Sequence, residues 1–159
     1  PCCQRRPDRP RGITLSKSNA TENDFVKFVF NAVAMPAYGA SLQLNFHTAD
    51  PGEAGTATTN EPTPTAYVAQ VVTRDNTGWT ICDADGTPNA AGSAAKTAVV
   101  VTFPEVESGF VGTETWTHGS VSVVATGQIL YSGALTQPII VSALTTPNFP
   151  AGTVLLRED

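Results

Sequence analysis

Beyond residue 40 the apolar residues come in short runs of period two, each broken by turn chemistry before it can grow. Leu42, Leu44 and Phe46 alternate with polar neighbours. Successive side chains of a strand point to opposite faces, so this alternation marks a half-buried strand. Similar runs fall at residues 66–74, 78–82, 97–103, 115–125, 127–132, 136–142 and 152–157. Asp75-Asn76, Asp85-Gly86, Ser108-Gly109 and Ser132-Gly133 supply the turns between them. Thr, Ala and Val dominate the composition, and 13 Gly and 12 Pro punctuate it. Many short strands without intervening helices predict a mainly β fold, a jelly-roll-like β-sandwich of about eight strands. Pro138 either demotes its strand to an edge or moves the strand's start, because it lacks the N–H that a central ladder needs. Within 115–125 the apolar face switches between Trp116 and Val121, which places a bulge near Gly119.

The N-terminal part reads differently. Residues 1–12 hold three prolines and no periodicity, and are expected to form an extended basic arm. Residues 13–159 then make a single β-sandwich domain. One short N-terminal helix is expected over 18–34. Ser18 or Asn19 caps it, Glu22 and Asp24 occupy its first turn, and Phe25, Phe28, Val29 and Val33 recur at helical spacing before Pro36 ends it. Residues 48–65 stand apart: no period, three prolines and two glycines. Structureless loops of that length are usually functional or disordered, and this one is expected to lie against another subunit.

Charge narrows the function. Charged residues make up 14% of the chain, against roughly 25% in typical soluble domains. Arg5, Arg6, Arg9 and Arg11 against Asp8 give the arm a net +3, while the remaining residues hold five cations and 13 carboxylates. An acidic body disfavours direct nucleic-acid binding, which needs a basic face for phosphates. The arm is better suited to an acidic protein neighbour. Cys2, Cys3 and Cys82 form no zinc-type pair and cannot all pair in one chain, which fits assembly in a reducing cytoplasm. No apolar run reaches the 18 or so residues of a membrane helix, and residues 1–12 are too polar for a signal-peptide core.

Candidate chemistry is thin. His47, Asp50 and Glu53, with distant His118, could form a metal site or an acid–base pair, but zinc would want three or four ligands at defined spacing. The simpler reading is a strand end followed by an Asp50-Pro51-Gly52 turn. Asp83-Ala84-Asp85-Gly86 echoes a calcium loop, yet Gly92 stands where that loop needs Glu. Neither Ser108 nor Ser132 sits in a nucleophile elbow. Cys82 beside Asp83 lacks a cation to activate it and should be inert. Glu105, Glu107 and Glu114 read as solvated loop charges rather than paired catalytic carboxylates. Trp79 and Trp116 could floor a sugar site, but core packing is the expectation for both. No enzyme activity, cofactor or metal is therefore expected.

Several stretches resemble a known family. They are the run from His47-Thr48-Ala49-Asp50-Pro51-Gly52 to Glu53-Ala54-Gly55-Thr56, Thr59-Asn60-Glu61, Val101-Thr102-Phe103-Pro104, Thr117-His118, Leu130-Tyr131-Ser132-Gly133-Ala134-Leu135 and Phe149-Pro150-Ala151-Gly152. In this order, over some 140 residues, the chain resembles short bacteriophage virion structural proteins, tail-fibre-like or similar to capsid cement proteins. It departs from that pattern at Tyr67-Val68-Ala69-Gln70 and at Gly119. The resemblance implies a virion protein assembled in the bacterial host cytoplasm and acting by binding alone. The expected role is capsid decoration: a cement protein on the capsid surface, contacting the major capsid protein and copies of itself as a dimer or trimer. Each copy would bury roughly 800 Å² or more. The alternative is a tail-fibre or receptor-binding module, which would show Trp79, Trp116 or Tyr131 on an exposed groove rather than in the core. Expected partner contacts are Arg5, Arg6, Arg9 and Arg11 in the arm, and Asp50, Glu53, Asn60 and Glu61 in the long loop.

Overall fold

A computed structural model describes residues 13–157. The basic arm, with Arg5, Arg6, Arg9 and Arg11, lies outside the described residues. The elements in chain order are β1 (Ile13–Lys17), α1 (Asn19–Asn31), β2 (Ser41–His47), β3 (Gln70–Thr73), β4 (Trp79–Cys82), β5 (Ala94–Thr97), β6 (Val101–Thr102), β7 (Glu114–Val123), β8 (Ile129–Val141), β9 (Asn148–Phe149) and β10 (Val154–Arg157). Eight strands form one sheet in the order β3-β2-β7-β8-β1-β10-β5-β4, and β6 pairs with β9 separately. All pairings are antiparallel except β1 with β10. The fold is mainly β and jelly-roll-like, as the alternation predicts.

β7 and β8 bridge its two halves. β8 pairs with β7 through Ile129–Ala134 and Ile139–Val141, and with β1 at Tyr131, Ser132 and Leu135. The expected strands 127–132 and 136–142 are thus one strand of 13 residues, and Ser132-Gly133 is not a turn. The expectation that Pro138 marks an edge or a strand start is corrected by the same ladder. Between the pairs Trp116–Ile139 and His118–Ala134 the register slips, and Pro138 falls in that slip, where no ladder bond asks for its N–H. The bulge also lies there and at Val121/Ser122, not at Gly119, which pairs regularly with Phe46 and Gly133. Gly119 answers a different need: a Cβ there would sit 3.0 Å from Ile13 Cδ1 and 3.6 Å from Phe46 Cε1. β1 was not expected as a strand. Ile13 and Leu15 do alternate with polar residues, but five residues carry little periodic signal. The expected strand 97–103 divides into the end of β5 and the short β6.

The core is aromatic at one end. Phe46 stacks on Trp116 and Phe149, with centroids 5.3 and 4.9 Å apart, and meets Phe103 at 4.7 Å. Tyr67 closes the cluster against Phe103 and Trp116. Pairs of this kind add about 0.5–1.5 kcal/mol each beyond area burial. Leu15, Leu44, Val121, Val141 and Val154, all fully buried, carry the core toward the other strands.

α1 is shorter than the expected 18–34. Ser18 is its N-cap, accepting from the Thr21 N–H, and Ala32 ends it in the left-handed conformation at φ 53°, four residues before Pro36. An amphipathic helix ordinarily turns its apolar face to the core. α1 does not: beyond its first two turns it is exposed on every side. Thr21 is its one buried residue, while Phe25, Phe28 and Phe30 are 52, 52 and 78% exposed.

Candidate functional site

Three regions have the chemistry to meet a partner: the long loop, a cleft beside the edge strands, and the outer face of α1.

The loop 48–65 is irregular but tied to its own domain. Thr48 donates its N–H to the Asn60 carbonyl at 2.8 Å, and the Asn60 amide returns a bond to the Asp50 carbonyl at 2.9 Å. Asn60 adopts φ 54°, a conformation that asparagine tolerates better than most residues. The Asp50 carboxylate accepts from the Gly52 N–H at 2.8 Å, closing the Asp-Pro-Gly turn. Ala57 donates to the Gly127 carbonyl at 2.8 Å. Further along, Glu107 accepts from the Thr65 and Ala66 N–H groups at 2.8 and 3.1 Å. Glu114 accepts from the Thr63 N–H and hydroxyl and from Trp116 Nε1, the last at 2.7 Å. Backbone donors hold the Glu107 carboxyl down to about 2. These two glutamates are loop anchors, which corrects their reading as solvated charges. The loop therefore has hydrogen-bond partners of its own within the domain. Of the expected partner contacts, Asp50 and Asn60 come together and serve the loop's own turn, while Glu53 and Glu61 are exposed.

His47 locks the loop to the sheet. It is fully buried, with Nδ1 at 2.7 Å from the Thr59 carbonyl and Nε2 at 2.7 Å from Ser120 Oγ. A carbonyl only accepts, so Nδ1 carries the proton and Nε2 accepts from the serine hydroxyl. The Asn45 amide donates to Ser120 Oγ at 3.3 Å and to Ser122 Oγ at 2.8 Å. Burial lowers the His47 pKa, and nearby His118 lowers it further. This Ser–His contact resembles half of a catalytic pair, but both side chains are sealed inside the sheet. His118 lies opposite His47 in the ladder and bonds to the Thr117 hydroxyl. The carboxylates of the calcium-loop echo are used within a turn: Asp85 accepts from Thr87 N–H and Asp83 from the Asn89 amide. Cys82 is buried, and burial pushes its thiol pKa up.

The cleft measures about 900 Å³ and lies beside edge strands β3 and β4. Leu42, Trp79, Ile81, Tyr131 and Leu156 give it apolar walls, and Arg74, Asp75, Asn76, Asn89 and Ser93 lie among its polar lining. Such a mixture, an apolar surface with a few polar groups, is what concave recognition sites are made of. Trp79 is 8% exposed, and its buried indole N–H has no acceptor among the described residues. Both tryptophans belong to the buried core, as expected, and Trp79 also contributes to the wall of the cleft.

Two cation–ring contacts lie around α1. Lys17 Nζ sits 5.6 Å from the Phe25 ring centroid, and Lys17 pairs with Tyr131 of the cleft. Arg74, also of the cleft, stacks at 5.9 Å on Tyr38, just beyond the helix. A hint of outward exposure was present in the sequence: five of the six residues Phe25, Val26, Lys27, Phe28, Val29 and Phe30 are apolar, too many for one buried stripe.

No curated protein matches the chain. The family described as podophage GP4 fiber I protein gp80 matches residues 16–157, nearly the whole described domain. The chain belongs to that family, and so to the structural proteins of the bacteriophage virion.

Proposed function

We propose that this protein is a fibre component of the phage particle, with the cleft between Trp79 and Tyr131 as its recognition surface. The family match carries this reading, because the family is described as a fiber protein over residues 16–157. The cleft supports it: a receptor-binding module was expected to place Trp79, Trp116 or Tyr131 on a groove rather than in the core, and half-buried Tyr131 lines one. Capsid cement, with the major capsid protein as partner, draws no comparable support from the family. Function here is binding, without a chemical step. Two measurements test the reading. Antibody labelling of intact particles in the electron microscope should place the protein on a fibre, and labelling spread over the capsid would overturn that. Ile81 lies in the cleft wall and is 47% exposed, so Ile81→Asp should leave the fold intact and reduce particle adsorption to host cells at least about tenfold. Unchanged adsorption would remove the cleft from the account.

A further inference from the structure

The two edges of the eight-stranded sheet are finished differently. β4 is covered by its own connection to β5: the Asn89 N–H donates to the Ile81 carbonyl at 3.1 Å, and Cys82 pairs with Pro88. β3 is left open, with β2 on one side and no described strand on the other. The Arg74 N–H donates to the Ala40 carbonyl at 2.9 Å, next in register after the pair Ser41–Thr73. Backbone groups of an antiparallel strand alternate sides, so Gln70 and Val72 also face β2, while Val71 and Thr73 face away. Gly78 covers the Thr73 carbonyl so closely that a Cβ there would collide with it. The Val71 N–H, the Val71 carbonyl and the Thr73 N–H are left as an open row. Proteins commonly guard such a row with charge or proline. Residues 65–73 contain neither, and Val68 and Val71 are 58 and 60% exposed.

We infer that β3 receives an extended peptide segment of another protein, which pairs with it as a further strand and turns alternate apolar side chains into the cleft. A row of alternating donors and acceptors is matched by another backbone, at the two-residue repeat of roughly 7 Å. The cleft adjoins this edge. Leu42 of its wall pairs with Val72, and Arg74, Asp75 and Asn76 of its lining follow directly on β3. A side chain placed opposite Val72 lies on the face that Leu42 shares. That placement favours a free segment over a strand of a folded sheet, whose apolar face is already packed on its own core. β3 is four residues long, so the paired segment is short, roughly four or five residues. Naming a peptide as the ligand rests on the cleft being the recognition surface, whereas the open edge does not.

The test is selection of random displayed heptapeptides on the immobilised full chain, followed by titration of the selected peptides. Sequences with apolar residues at alternate positions should be enriched. N-methylation should weaken binding at least about tenfold at every second peptide residue and stay within about twofold between, because only alternate N–H groups meet β3. Val71→Pro removes one outward donor and leaves the β2 ladder untouched, so the domain should stay folded and bind at least about tenfold more weakly. No enrichment, N-methyl effects without that alternation, or full binding by Val71→Pro would overturn the proposal. Association of the chain with itself that Val71→Pro abolishes would assign the edge to a second copy and overturn it too. Particle adsorption by Ile81→Asp separates the two readings. Normal adsorption with alternating N-methyl effects removes the cleft as receptor site and keeps the strand, and impaired adsorption without peptide binding does the opposite.

Discussion

α1 and the 48–65 loop invert the usual relation between regularity and self-sufficiency. The helix has every backbone feature of a well-formed element: an N-cap serine, an acidic first turn and a left-handed C-cap. Its side chains are nonetheless left facing outward. The loop has no repeating backbone pattern, yet its donors and acceptors are met by Asn60, Gly127, Glu107, Glu114 and His47. Regular structure satisfies the backbone alone. Whether a region needs a partner is decided by what its side chains still lack. By that measure the helix is the region that needs one.

The comparison can be attacked from the loop side first, where the largest effects lie. His47→Ala removes the buried ring that joins Thr59 to Ser120 and leaves a cavity, so the domain should lose about 2–4 kcal/mol of unfolding free energy in a urea titration. A loss below about 0.5 kcal/mol would mean the loop is not held by this network. Tyr67→Phe should cost less, about 1–3 kcal/mol. The Tyr67 hydroxyl accepts from the Phe46 N–H at 2.7 Å, and its loss orphans a donor beside the core.

Acid should loosen the loop in two windows. The His47 pKa is lowered in the folded state from 6.5, so the unfolded chain binds the proton first. Its stabilisation is complete above 6.5 and is lost as pH falls below that value toward the lowered folded pKa. His47→Gln should flatten this part of a stability–pH profile. Glu107 acts lower: its stabilisation is present above 4.5 and is lost as pH falls toward about 2. Glu107→Gln should therefore speed amide exchange at Thr65 and Ala66 at neutral pH, and the wild-type amides should approach that rate only near the low end of the window. On the helix side the expected effect on the isolated fold is the smallest. Phe28→Ser and Val29→Ser should each leave domain stability within about 0.5 kcal/mol, because neither side chain is buried in the single chain.

Much of the fold was legible locally. Alternation at Leu42, Leu44 and Phe46 located β2, and Ser18 located the start of α1. What was hidden depends on distance along the chain. Glu107 and Glu114 read as loop charges because their partners at Thr65 and Thr63 lie 42 and 51 residues away. Ser132-Gly133 reads as a turn in isolation and becomes mid-strand only because β7 and β1 pair on either side of it. For α1 the periodicity was correctly read as amphipathic, but periodicity reports that a face is apolar, not which way it points. The bonds from Ser18 and Thr21 to β8 hold only the start of the helix, and every residue of α1 beyond Asp24 is exposed. The family resemblance reached the virion from local stretches, while the capsid role attached to it had no residue of its own to stand on.

The contrast between helix and loop is tested most directly by hydroxyl-radical footprinting. The chain would be labelled at high dilution and again within intact particles, with modification read residue by residue. The account predicts strong protection of Phe25, Phe28, Phe30 and Met35 in the particle, with little change across residues 48–65. Equal reactivity of the helix residues in both states, or protection confined to the loop, would contradict it.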